Sequence, residues 1–147
     1  MLDFKTILFD CKPDFVASAK HPLSKNKWIE ALDFEKETLI NYPVETSRLD
    51  VFSQLLIPNK VEPEHNRQVE LTSIILLLVA SDRGVTLLPN WVVAEFRNNS
   101  NYVIVQLNTK DTIRGPFATT GTNCLEKPFM RNLIDLAGQE AGRLQKV

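Results

Sequence analysis

Cysteine and glycine are scarce in this chain, and the few present do not cluster. The two cysteines, Cys11 and Cys124, lie far apart, with no CxxC pair and no histidine at ligand spacing. That argues against a disulfide framework or a zinc site and for reduced thiols, a bond between the two being left open. Five glycines in 147 residues form no phosphate-cradling loop. Long apolar runs are missing as well: the longest, Ile74 to Ala80, has seven residues, far short of a bilayer span. The opening "MLDFKTILFD" lacks the basic start and apolar middle of a secretory leader, so the expected location is the cytoplasm, with no membrane partner. Basic excess is absent too. With 17 Lys and Arg against 18 Asp and Glu, a net charge of -1, the chain has no electrostatic footprint for gripping a phosphate backbone unaided.

What is present describes a soluble globular chain, 44% hydrophobic and 24% charged, long enough for one domain or a compact pair of half-domains. No repeat, low-complexity stretch or charge block interrupts it. "LFDCKPDFVASA" (8 to 19) reads as strand-like, with Pro13 suggesting an edge or a bulge. "HPLSKNKWIEALDFEK" (21 to 36) reads as a polar connector with about one helical turn, covered by Trp28. "TLINY" (38 to 42) is a short apolar strand ended by Pro43. In "ETSRLDVFSQLLIP", Ser47 followed by Asp50 resembles a capping box, and Leu49, Phe52, Leu55 and Leu56 share one helical face before Pro58. "HNRQVE" (65 to 70) is a weaker strand. Thr72 to Arg83 is a helix apolar enough to be buried on most sides, with Gly84 in the left-handed position that closes it.

"VTLL" (85 to 88) is short and wholly apolar but for Thr86, the signature of a strand covered on both faces and, by the same token, of a parallel sheet. Pro89 and Asn90 begin a short helix, Trp91 to Arg97, which Trp91 packs onto the sheet. "YVIVQL" (102 to 107) is a strand, "GPFATT" (115 to 120) another candidate, and a helix runs from Pro128 to about Gly138. Strands alternating with helices make the fold class α/β.

In such folds a small molecule binds where helix starts point past the carboxyl ends of the strands. Thr46, Ser47 and Arg48 occupy one such junction, where hydroxyls, backbone N–H groups and a guanidinium can converge on a carboxylate; the alternative is that Ser47 only caps its helix and Arg48 is solvated. Glu70 and Thr72 occupy the next junction, where a carboxylate equally serves the helix dipole. Thr86 either shows its hydroxyl to the cleft or is a threonine tolerated in a strand. A catalytic reading would pair Cys11 with His21, but Cys11 lies in an apolar piece and His21 precedes a proline in a connector. No Ser-His-Asp arrangement is visible, and an enzyme, a metal or a cofactor is not expected.

The stretch "VELTSIILLLVASDRGVTLLPNWVVAEF" (69 to 96) resembles the LysR-type bacterial transcription regulators, in which helix, glycine turn, apolar strand and Leu-Pro stop follow one another. "HPLSKNKWIEALDFEKETLINYP" (21 to 43) resembles that family's His-Pro-Leu connector and the strand beyond it, and "NYPVETSRLDVFSQLLIP" (41 to 58) is similar to its MetR-like branch, the methionine-biosynthesis activators. The resemblance covers almost the whole chain but only the C-terminal half of the family. It implies a periplasmic-binding-protein-like (type 2) regulatory fold, with residues 23–114 as a complete second subdomain and 1–22 with 115–147 as part of a first. The winged helix-turn-helix that contacts DNA would lie outside these residues. An effector such as homocysteine is implied, held in the cleft between subdomains, with Glu70 facing its ammonium; Leu71 departs from the polar neighbour the branch suggests. An incomplete first sheet exposes an edge and apolar surface, so self-association is expected. A binding protein of the same fold without transcriptional output is the alternative.

Overall fold

The computed structural model describes residues 4–7, 11–49, 51–108, 117–120, 124 and 126–145. Strand β1 (Phe4–Ile7) pairs antiparallel with β7 (Phe117–Thr120), joining segments more than a hundred residues apart. Between them β2 (Pro13–Ser18), β3 (Thr38–Asn41), β4 (His65–Gln68), β5 (Thr86–Pro89) and β6 (Tyr102–Gln106) alternate with helical segments. β3 and β4 are parallel. β5 joins β3 through a parallel Leu39–Val85 bridge, in which Ile40 N donates to Val85 O at 2.8 Å and Val85 N to Thr38 O at 2.9 Å. On its other side β5 pairs antiparallel with β2, and β2 pairs antiparallel with β6.

The resulting order is β4-β3-β5-β2-β6. "VTLL" is thus covered on both faces as expected, but the sheet is mixed rather than parallel, because β2 runs against its neighbours. β2 is also central where Pro13 had suggested an edge or bulge. Pro13 is the first residue of the strand, opposite Pro89, a place where the missing N–H costs the ladder nothing. β2 therefore pairs on both sides with strands drawn from 23–114.

Side chains alternate across this sheet as the pleat requires. Phe15, Ala17, Leu39, Val85 and Val105 face one core with Phe34, Leu55 and Leu56; Phe15 and Phe34 meet edge to face at 5.7 Å. Val16, Ile40 and Leu88 face the other, with Ile75 and Val79 of helix α1 (Thr72–Ala80) and Val93 of the short helix α2 (Asn90–Val93). The connector 21–36 contains two 3-10 turns, Pro22–Lys25 and Ala31–Phe34. Trp28 remains nearly half exposed there, with Lys27 over its ring.

Several local readings change. Residues 46–56 do not form one capped α-helix: Thr46–Arg48 is a 3-10 turn flanked by Glu45, without a side-chain cap, and Val51–Leu56 is a π-helical turn closed by Ile57 N donating to Phe52 O. Ser47 lies inside the first turn, and Asp50 lies outside the described residues. The apolar face survives, with Phe52, Leu55 and Leu56 buried. α1 is shorter than expected and buried on one side only: Ile75 and Val79 are inside, while Leu71, Ile74 and Leu77 are exposed. Its left-handed closing residue is Asp82, at φ 56, rather than Gly84. Gly84, at φ 155, is required for another reason, since a Cβ there would lie 2.5 Å from Thr38 O.

The last helix, α3 (Pro128–Gln145), continues well past Gly138. A glycine in a helix interior costs about 1 kcal/mol, and the surrounding Leu, Ala, Gln and Glu residues carry the helix through it. β1 was not foreseen. Among the described residues no helix is long and apolar enough to cross a membrane.

Candidate functional site

A cavity of about 200 Å³ opens at the carboxyl ends of β3 and β5. It is lined by Pro13, by Asn41 and Tyr42, by Leu49 and Val51 and by Thr86 to Pro89, and Arg48 is its cationic group. The topology puts them together: β3 and β5 are adjacent and parallel, so the residues leaving both strands emerge at one end. The 3-10 turn that follows β3 brings Arg48 over that end.

Of the residues singled out in the sequence, Arg48 and Thr86 line the cavity. Thr72 is one contact removed. Its hydroxyl is hydrogen-bonded to that of Tyr42, so the start of α1 orients a cavity wall. Thr46, Ser47 and Glu70 are exposed and do not line the cavity. Glu70 directly follows Val69, whose N–H donates to Asn41 O at 2.8 Å, which leaves it beside the Asn41 wall.

Hydrogen bonding limits what each group can offer. Thr86 Oγ1 is buried and donates to Ile40 O at 2.8 Å, so its proton is committed and only an acceptor lone pair remains. Asn41 Nδ2 donates to Asn66 Oδ1 at 2.7 Å, leaving its second N–H and its side-chain carbonyl. Among the described residues Arg48 has one loose ionic neighbour, Glu45 Oε2 at 3.8 Å, and both side chains are well exposed; such a pair is weak and easily exchanged. The site therefore combines an available guanidinium, two acceptor oxygens and an apolar wall of Leu49, Val51, Leu87 and Leu88. A small molecule with an anionic group, a donor group and a short apolar chain matches that set.

Asn41 and Tyr42 are the residues that sequence reasoning missed. The available signal was their place: polar side chains at the carboxyl end of an otherwise apolar strand, just before Pro43.

His21 has a structural task. Its Nδ1 accepts from Leu23 N at 3.2 Å and its Nε2 lies 3.1 Å from Glu37 Oε2, which pins the connector to the turn before β3.

The LysR substrate binding domain family model matches residues 5–142. The chain belongs to that family, and its fold is the periplasmic-binding-protein-like type 2 fold of LysR effector-binding domains. Within the family it is similar to the HTH-type transcriptional regulator MetR of Escherichia coli K12, 38% identical over 89 residues, 60% of this chain and 28% of that protein. It is also similar to the MetR of Haemophilus influenzae, at 33% over 104 residues, 71% of this chain and 33% of that protein. Among solved structures, the regulatory domain of MetR (NMB2055) from N. meningitidis superposes with a TM-score of 0.84 at 31% identity, covering 92% of this chain and 62% of that one. The chain thus spans about a third or less of the curated relatives it matches.

Proposed function

We propose that this chain is the effector-sensing part of a MetR-like LysR transcription regulator, and that the cavity at the ends of β3 and β5 takes an amino-acid-like metabolite of the homocysteine type. The observation that carries this reading is the meeting of Arg48 and Thr86 in one cavity. Arg48 holds the effector carboxylate, the acceptor oxygens of Thr86 and Asn41 take the ammonium, and the leucine-rich wall takes the short thiol-bearing chain. Thr72 acts through Tyr42. Thr46, Ser47 and Glu70, which do not line the cavity, border its solvent side, Glu70 adding negative charge near the ammonium.

Residues 23–114, completed by β2, form one subdomain, and the flanking segments form part of another. The pairing of β1 with β7 supports this grouping. Effector binding stabilises one arrangement of subdomains and so biases a DNA-binding domain outside this chain. Self-association uses the exposed apolar faces of the helices.

Calorimetry with L-homocysteine tests the site. Arg48→Ala is expected to cost about 1–3 kcal/mol of binding, as loss of a charge-assisted hydrogen bond should, and Glu70→Ala less. Unchanged affinity in Arg48→Ala overturns the assignment.

A further inference from the structure

A second and more polar recess, of about 350 Å³, lies along β6 and shares no residue with the first. It is bounded by Asp14, Arg97, Tyr102, Val103, Ile104 and Gln106. Asp14 enters from β2, between its register partners Leu88 and Gln106, and only 10% of its side chain is exposed. Arg97 follows the 3-10 turn Ala94–Phe96 and is half exposed. Its Nη2 stands 3.9 Å from Asp14 Oδ2, beyond hydrogen-bond length. The Tyr102 ring is held by Phe96, centroid to centroid 5.4 Å.

A carboxylate removed from water requires close, charge-assisted partners, and Arg97 at this distance supplies attraction without a bond. Burial accordingly pushes the Asp14 carboxyl above its ordinary value, and Arg97 offsets that only in part. Among the described residues, the recess thus presents one carboxylate with no hydrogen-bonded donor and one half-exposed guanidinium. A simple amine entering it would meet repulsion from Arg97, and a simple acid would meet repulsion from Asp14. A molecule carrying both charges on groups joined through one carbon offsets each repulsion with an attraction.

We propose that this recess is a second ligand site, which takes the zwitterionic head group of a free α-amino acid, with its ammonium on Asp14 and its carboxylate on Arg97. Ile104 and the Tyr102 ring receive the side chain. The site is independent of the strand-end cavity, so each can fail without the other.

Amide-resolved NMR titration of the full chain with L-methionine tests it, with propylamine and propionate as singly charged controls. Saturable shifts are expected at Arg97 and along 102–106, with affinity falling about tenfold or more in Asp14→Asn and in Arg97→Gln, and unchanged in Arg48→Ala. Because Arg97 is half exposed, its substitution leaves the fold in place, and Arg97→Lys, which keeps the charge without the planar fork, is expected to bind between the two. Absence of saturable shifts along 102–106, shifts that persist in both Asp14→Asn and Arg97→Gln, or equal binding of propylamine overturns the proposal.

Discussion

Single residues in this chain are fixed by their immediate neighbours rather than by their type. Gly84 was legible as a required glycine, but the reason lies across the sheet: the Thr38 carbonyl occupies the space of its missing Cβ, and sequence carries no trace of an approach between residues that far apart. Gly84→Ala is expected to lose roughly 1–3 kcal/mol in urea unfolding, the usual range for enforced backbone strain; a change within about 0.5 kcal/mol would contradict the close approach. Asp14 gives a pH-dependent expectation. Its carboxyl binds a proton more tightly in the folded chain than in the unfolded one, so its contribution is favourable at acid pH and is lost as pH rises from the ordinary carboxylate value through the raised one. Asp14→Asn, neutral throughout, should gain on the wild type as pH rises across that window. Unfolding curves collected along a pH series would refute this if the difference stayed flat or ran the other way.

At the scale of elements, period and burial were readable and helix type was not. The apolar face of Leu49, Phe52, Leu55 and Leu56 was visible in the sequence and packs into the core, yet the backbone beneath it is a 3-10 turn followed by a π turn. Side-chain spacing reports which residues go inside; it does not report which carbonyl each amide chooses. The face assignment is directly measurable. Leu56→Ala, at a fully buried position, should cost about 2–5 kcal/mol, whereas Ile57→Ala, largely exposed, should stay within about 0.5 kcal/mol. Similar losses at both positions would mean that the turn is rotated. α1 was misread for a related reason: an apolar run all round a helix predicts burial all round, but only one side of α1 meets the sheet.

For the whole molecule, the α/β class and the family were legible because turn residues, apolar strands and the 41–58 run agree with one another. The candidate site was legible only in part. Arg48 and Thr86 are 38 positions apart in the chain, and their meeting depends on β3 and β5 being adjacent, which spacing alone does not specify. Among the described residues, six of the exposed large apolar side chains fall in two groups, Leu71 at the cap of α1 with Ile74 and Leu77 on it, and Phe129, Leu133 and Leu136 on α3, and groups of that kind favour association. The chain is expected to sediment above its monomer mass at high concentration, and a Leu133→Glu, Leu136→Glu double variant to shift towards the monomer. A wild-type monomer throughout would remove the expectation.

The placement of β2 has a consequence for how the molecule is assembled. The strand's two partners, β5 and β6, follow some seventy and ninety residues later. A ribosome must therefore deliver residues up to Pro89 before the keystone of the sheet is gripped from one side and up to Gln106 before it is gripped from both, and such long-range closure is slow. Until then Phe15 and Val16 travel uncovered, which makes the nascent chain a natural client for holding factors and makes its first twenty residues the worst place to shorten it.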